Sequence, residues 1–326
     1  MVQKIGKHLH SFCILTALFP PAKFLSKAGR VPDARTEIDK ELNTAKDKSY
    51  LFNYAQLLFW DGHLNVYERK EQEAVRKFQE CINLCQQVGD NRFVLYPLLL
   101  ISQLYIVGGA NELAFINSFE GLEGSSKYKM ATFLSQFLQN AGLAAGGLNK
   151  VYLAKGCLEE AVNTCEKEGL WGYGSVLKAN LAAILAQQGD TRKAIQLIET
   201  AKTVDVGKTL DPSSKRQQLM HISLYEGKIY GLAKNYIESE RSYRNFINTS
   251  EELGYKNIIS TAQARKGLGE ALLEQGRKPE AAKEFDAAKE EFRKIHEGLH
   301  PKNDNKFLDY SFSGKDIDEL IKLVQR

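Results

Sequence analysis

The sequence predicts an all-α protein, an α-solenoid that forms a right-handed superhelix of about seven helix-turn-helix hairpins. Two observations lead to this prediction. Apolar and small residues return every three or four positions through most of the chain, which is the spacing of one face of an α-helix. A glycine followed five positions later by a small residue also recurs along the chain, as expected for repeated turns between paired helices.

The stretch 262–292 shows this pattern most clearly, because it contains two amphipathic segments separated by one turn signal. Gly276 lies between the segments, and glycine readily adopts the left-handed conformation that ends a helix. Ala281, five positions later, is small enough to let the second helix pack closely against the first. The apolar or small positions of the two segments are Leu268, Gly269, Leu272, Ala281, Phe285 and Ala288.

These positions resemble the tetratricopeptide repeat, whose signature has Leu-Gly and an aromatic residue in the first helix and Ala, Phe and Ala in the second. Leu272 replaces the usual Tyr, and Arg265 replaces the usual Trp. The repeats are longer than the standard 34 residues and resemble those of kinesin light chains and of helical sensor regions in bacterial transcription activators. The resemblance implies a binding scaffold and does not identify what is bound. The matching residues are Leu268, Gly269, Ala281, Phe285 and Ala288.

The Gly-x-x-x-x-Ala marker predicts where each hairpin turns. Degenerate copies begin at Arg69 and Lys234. Complete copies begin at Gly29, Gly109, Gly156, Gly189 and Gly276. The successive intervals are 40, 40, 47, 33, 45 and 42 residues, so we expect an irregular region in the middle of the array.

The expected irregularity begins after Gly121. The segment EGLEGSS is predicted to be a turn. The segment that follows is either one long helix or two short helices broken near three glycines, which are Gly142, Gly146 and Gly147.

The repeat array is predicted over residues 32–300. Residues 1–31 combine basic residues with the apolar run FCILTALF, which leaves open a capping helix or a targeting segment. Residues 301–326 are predicted to be a linker followed by a capping helix, because KDIDELIKLVQR has one apolar face.

Charge and cysteine content narrow the function classes. The net charge is +4, but residues 1–32 contain five basic residues and no acid, which leaves 39 of the 44 Lys and Arg against all 40 Asp and Glu. The array therefore has no basic stripe, and we expect no nucleic-acid partner.

No apolar run approaches the roughly 20 residues of a membrane span. Five cysteines without a Cys-x-x-Cys motif favour buried thiols in a reducing compartment, the cytoplasm, unless residues 1–31 direct the chain to an organelle or to export.

One motif suggests catalysis, since His296, Glu297 and His300 form an HExxH sequence typical of zinc metallopeptidases. That chemistry needs both histidines one turn apart on a continuous helix. Pro301 follows directly and disfavours helical geometry at His300. The segment EGLHP also resembles the turn between kinesin light chain hairpins. We therefore predict no catalytic residue, no metal and no cofactor, with the metallopeptidase as an alternative.

The predicted function is that of a protein-interaction scaffold or adaptor that binds a segment of a partner protein in the concave groove. The alternative is a sensor region that binds a peptide or ligand. The oligomeric state is not predicted. The carboxylate clamp of chaperone-binding repeats is not expected, because Asn180 alone matches it. Phe59 can equally belong to the core between repeats. The predicted groove residues are Gln56, Phe59, His63, Tyr96, Gln103, Lys150, Asn180, His221, Lys228, Lys266 and Glu270.

We expect elemental analysis of the purified protein to find no stoichiometric zinc, because Pro301 keeps His300 from lying above His296. A zinc ion and a peptidase activity that are both lost in His296→Ala would contradict this expectation and establish the metallopeptidase alternative.

Overall fold

A computed structural model describes residues 31–47, 50–68, 70–203, 212–253 and 258–299, and the regular structure within these residues is α-helical. Predictions for residues 1–30, 204–211 and 300–326, and for the turn at Arg69, lie outside the described residues. The thirteen described helices are α1 (Val31–Asp47), α2 (Leu51–Tyr67), α3 (Glu71–Gln87), α4 (Leu95–Val107), α5 (Asn111–Lys127), α6 (Ala131–Gly147), α7 (Val151–Lys167), α8 (Trp171–Gln187), α9 (Thr191–Thr203), α10 (Pro212–Leu232), α11 (Tyr236–Glu252), α12 (Ile258–Glu274) and α13 (Lys278–Leu299).

The chain divides into two compact units, with the boundary between Leu104 and Tyr105. In the first unit, α2 packs against both α1 and α3. In the second unit, four antiparallel hairpins follow one another: α6 with α7, α8 with α9, α10 with α11, and α12 with α13. Helix α5 packs against α6 at the start of this series. The sequence analysis did not predict this division into units.

The turns within and between hairpins place a central residue in the left-handed conformation. Gly109, Gly189 and Gly276 have φ angles of 75°, 87° and 77°. Lys234 also has a positive φ, 59°, although it carries a side chain. These four positions confirm the turns predicted from the Gly-x-x-x-x-Ala marker and its degenerate copy at Lys234.

The fourth turn was wrongly predicted at Gly156, which lies inside α7. The turn is formed by Asn149, which has a φ of 58° and is followed five positions later by the buried Ala154. The Lys150 amide donates a hydrogen bond to the Ala145 carbonyl oxygen at 2.8 Å, which closes the end of α6. Asparagine tolerates this conformation, so glycine is not required here.

The predicted irregularity is also wrong. Helices α3, α5, α7 and α9 begin at Glu71, Asn111, Val151 and Thr191, which are 40 residues apart at each step. The segment EGLEGSS belongs to α5, and α6 is a single helix that runs through Gly142 and Gly146 to its last residue. The glycines had suggested a break in a region where the period is regular.

Many helical glycines allow close packing between helices instead of breaking a helix. A Cβ atom placed on Gly269 would lie 2.5 Å from the Phe285 ring of the paired helix, and one on Gly121 would lie 2.2 Å from the Phe137 ring. Both distances are too short for a real contact, so each aromatic ring occupies the space that a side chain would fill. Equivalent close contacts join Gly62 to Phe78, Gly142 to Leu158, and Gly227 to Tyr243.

Arg265, which replaces the usual Trp of the repeat signature, links three helices through ion pairs. Its guanidinium nitrogens lie 3.0 Å from a Glu284 oxygen, 3.3 Å from a Glu291 oxygen and 3.4 Å from a Glu251 oxygen. Arg265 and the first two glutamates are largely buried, and their charges are therefore less screened than those of a surface pair. This network joins α11, α12 and α13 where the signature would have an apolar ring.

Other features agree with the sequence analysis. Pro97 lies in the first turn of α4, where its missing amide hydrogen costs no hydrogen bond. Cys81 and Cys85 are fully buried in α3, as expected for structural thiols. Within the described residues, none of the helices is long and apolar enough to cross a membrane.

Two glycine substitutions should have opposite effects on stability. Gly269→Ala should lower the free energy of unfolding by about 1 to 3 kcal/mol, because the methyl group collides with the Phe285 ring. Gly156→Ala should raise it by about 0.5 to 1 kcal/mol, because Gly156 is exposed within a helix and its Cβ would meet no atom within 4 Å. Urea unfolding followed by circular dichroism measures both, and equal effects would contradict the prediction.

Candidate functional site

The first helices of the hairpins in the second unit, α6, α8, α10 and α12, form the candidate site. Helix α8 contacts α10, and α10 contacts α12. The Tyr173 hydroxyl of α8 donates a hydrogen bond to Gln139 Oε1 of α6, which joins the first two of these helices. We call the side formed by these four helices the inner surface.

The middle of the inner surface is formed by small residues. Helix α8 places Ala179 and Ala183, both buried, at the positions where the neighbouring helices place larger side chains. Ala179 belongs to an apolar cluster against which Tyr225 of α10 packs. Gln136 and Gln139 are partly exposed on α6. Neighbouring side chains cover both alanines, which are 0% and 4% exposed, so the small residues allow close packing at α8 and the exposed side chains of the inner surface come mainly from its neighbours.

Lys228 of α10 lies close to Lys266 and Glu270 of α12. Lys266 Nζ is 3.6 Å from Glu270 Oε1. Lys228 is exposed on this surface. The pKa of its ammonium is lowered, first by the solvation lost beside neighbouring side chains and then by the charge of Lys266, while Glu270 acts in the opposite direction. Lys228 forms no ion pair with another described residue, so the cluster has one positive charge that is not neutralised.

His221 lies on α10, nearly two turns before Lys228, and is half-buried. Burial lowers the pKa of its imidazole below the ordinary value of 6.5, because the charged form loses solvation. His221 is therefore neutral at neutral pH and can donate or accept a hydrogen bond.

Two predicted groove residues in the second unit are placed differently from the prediction. Lys150 is exposed in the turn before α7 and does not lie on a first helix, because the turn had been assigned to Gly156. Asn180 is 2% exposed, and its Nδ2 donates to the Val176 carbonyl oxygen at 3.2 Å. Its Oδ1 is buried and accepts no hydrogen bond from the described residues. Asn180 therefore belongs to the interior of the repeat.

The misplaced turn also concealed residues that do line the inner surface. With Asn149 as the central turn residue, the positions equivalent to His221 and Lys228 on α6 are Gln136 and Leu143. The signal was present in the sequence as Asn149 followed by Ala154. It was missed because Gly156 and Ala161 form a complete copy of the marker seven residues later, and that copy was preferred.

The predicted groove residues of the first unit belong largely to an aromatic cluster. Phe59 is buried, and its ring centre lies 4.9 Å from that of His63 and 6.1 Å from that of Tyr96. His63 stacks on Trp60 at 5.5 Å. Phe59 is therefore core, and Tyr96, which is 43% exposed, is the member that a partner can reach. Gln56 is partly exposed and Gln103 is exposed.

The described residues contain no group of three or more His, Cys, Asp or Glu side chains arranged to hold a metal ion. His296 and Glu297 lie in α13, but their side chains and all of His300 fall outside the described residues. The metallopeptidase alternative therefore stays untested.

No family model matches the chain, and no curated protein matches its sequence. Solved structures are similar in fold. The apo form of RapI is 14% identical with a TM-score of 0.67, and the match covers 86% of this chain and 98% of that one. A Rap protein complexed with Competence and Sporulation Factor is 10% identical with a TM-score of 0.55, and the match covers 96% and 97%.

A third match is a signal transduction ATPase with a tetratricopeptide repeat sensor from Pyrococcus horikoshii, which is 14% identical with a TM-score of 0.51. That match covers 89% of this chain and 43% of the other. At these identities the similarity shows the fold alone. The chain has a helical-repeat solenoid fold similar to theirs, which confirms the all-α solenoid class predicted from the sequence.

Acidification should destabilise the protein through His221. Because its pKa is lower in the folded chain than in the unfolded chain, protonation favours unfolding. His221 adds no such penalty well above pH 6.5, and the penalty grows as the pH falls through its folded pKa. In urea unfolding at neutral pH and in mild acid, His221→Gln should lose less stability on acidification than the parent protein. An equal loss would show that His221 does not titrate in this way.

Proposed function

We propose that the chain is a binding scaffold whose inner surface takes up an extended peptide segment that carries a carboxylate. The carboxylate is a side chain or a free C-terminus, and it lies against Lys228 and Lys266. The peptide comes from a partner protein, which is the adaptor form of the proposal, or is a free signalling peptide, which is the sensor form.

The observation that carries this proposal is the excess positive charge of an exposed lysine, Lys228, beside the Lys266–Glu270 pair. Lys266 repels the Lys228 ammonium and Glu270 attracts it, so two ammonium groups share one carboxylate. A ligand carboxylate between the two ammonium groups would neutralise the excess charge and form charge-assisted hydrogen bonds. An unpaired cation on the inner side of a helix stack is therefore better explained by an anionic ligand than by the stability of the fold.

The side chains beside this cluster suit the rest of the peptide. Tyr225 of α10 is partly exposed and offers an apolar ring with a polar end. Gln136 of α6 and His221 of α10 are also partly exposed and can form hydrogen bonds with the peptide backbone. A peptide a few residues long can reach from these groups to Lys228.

Two of the similar structures support binding of this kind. One Rap protein was solved in complex with Competence and Sporulation Factor, and the Pyrococcus horikoshii ATPase carries its repeats as a sensor. These facts concern those proteins, and they favour giving the sensor form equal weight with the adaptor form. A free peptide that binds as tightly as the same sequence within a protein would favour the sensor form.

The proposal predicts that binding depends on Lys228. Peptides selected from a random display library on the parent protein should carry a carboxylate. Their affinity, measured by fluorescence anisotropy, should fall about tenfold or more in Lys228→Gln, because a hydrogen bond between charged groups contributes about 1.5 to 3 kcal/mol.

The matched control is Lys283→Gln, which removes an exposed lysine from α13 outside the inner surface. It should leave the affinity unchanged. Peptides without a carboxylate, or peptides whose affinity is the same in Lys228→Gln, would contradict the proposed site.

A further inference from the structure

A second surface lies on α5 and α7, two helices of the second unit that are not part of the inner surface. On α5, three apolar side chains are exposed to solvent: Leu113 at 39%, Ile116 at 61% and Phe119 at 57%. They are three residues apart and therefore lie on one face of the helix. On α7, Tyr152 is 88% exposed and Leu153 is 42% exposed at the start of the helix.

These two helices border the same apolar cluster. Phe115 and Leu122 of α5 pack against the cluster that contains Ala154 and Leu158 of α7. The exposed residues of α5 and α7 therefore lie on two helices that share one core. We call Leu113, Ile116, Phe119, Tyr152, Leu153 and Gly156 the α5–α7 surface.

The repeat itself does not require apolar residues on the α5–α7 surface. The positions equivalent to Leu113, Ile116 and Phe119 are polar or charged in the second helices of the other described hairpins. These residues are Glu73, Arg76 and Gln79 in α3, Lys193, Gln196 and Glu199 in α9, Glu238, Arg241 and Arg244 in α11, and Glu280, Lys283 and Asp286 in α13. A contiguous apolar patch at positions that are polar elsewhere indicates an interaction site.

Gly156 is a separate indication. It occupies the position on α7 that Ile116 occupies on α5, and a Cβ there would meet no atom within 4 Å. Gly269, by comparison, makes room for the Phe285 ring. A glycine within an exposed helix weakens the helix, and Gly156 gains no internal contact in return. Its position fits the close approach of a partner that lies beside Ile116.

Acidic residues border the α5–α7 surface. Glu112, Glu120 and Glu123 on α5 and Glu160 on α7 are exposed, and none of them forms an ion pair within the described part of the chain. The nearby Lys155 is paired with Glu159 at 3.7 Å, and the exposed Lys150, two residues before Tyr152, offsets one of the four carboxylates. The apolar patch therefore still has a border with excess negative charge.

We propose that the α5–α7 surface docks a basic amphipathic helical segment of a partner protein, with an apolar stripe against Ile116 and Phe119 and Lys or Arg beside the glutamates. The negative border opposes pairing with the same surface of a second copy and opposes an anionic membrane. This surface differs from the inner surface, so the proposal does not rest on the proposed peptide site.

The probe is a fluorescein-labelled synthetic peptide about as long as the 17-residue α5, with Leu at helical spacing and Lys at the remaining positions. A control peptide has Glu in place of Lys. Fluorescence anisotropy with the full chain should show saturable binding of the Leu/Lys peptide and none of the Leu/Glu peptide. Binding of both peptides, or of neither, would overturn the proposal.

Three variants locate the binding. Gly156→Gln should weaken it about tenfold by blocking the approach, while the thermal unfolding midpoint does not fall, so that loss of folding cannot explain the result. Glu123→Gln should weaken it severalfold, and Glu290→Gln, the equivalent position on α13, should not. Lys228→Gln on the inner surface should also leave it unchanged. Unchanged binding in Gly156→Gln, or equal losses in the two glutamate variants, would refute docking here.

Discussion

The contact between a glycine on one helix and a bulky side chain on its paired helix controls how closely the two helices of a hairpin approach. In the last described hairpin the Phe285 ring lies where a Gly269 side chain would be. In the first unit Phe78 has the same relation to Gly62. Because each ring is buried directly against the facing backbone, the separation of the helices leaves little freedom. The positions of all other side chains on a hairpin, including those of the inner surface, follow from this spacing.

The sequence was sufficient to predict the fold because the hairpin depends on few residue types. A left-handed turn residue followed five positions later by a small residue recurs at the turns within the hairpins, and amphipathic spacing supplies the rest. The prediction failed where Asn149 took the role of glycine, since a pattern search cannot weigh the backbone conformations that asparagine tolerates. One shifted turn then moved the expected inner positions of that hairpin by seven residues and brought Lys150 into the predicted groove.

The candidate site could be predicted only in part, because residue type indicates chemistry more reliably than it indicates exposure. Lys228, Lys266 and Glu270 were expected on one surface and lie together. Phe59 and Asn180 were also predicted to face the groove, and both are buried. Whether an aromatic ring or an amide faces solvent depends on the side chains of the neighbouring helices, which come from distant parts of the sequence. The exposed apolar residues of α5 could not be distinguished from core residues for the same reason.

Helices α5 to α9 begin at Asn111, Ala131, Val151, Trp171 and Thr191, at steps of 20 residues. Any 40-residue window in this region therefore corresponds to one repeat period, the length of one hairpin with its turns. Unequal recombination that removes or duplicates such a window in the gene would shorten or lengthen the array by one hairpin. The contacts within each remaining hairpin would not change. The number of hairpins in this region is thus a property that can change in a single genetic event while the individual hairpin stays intact.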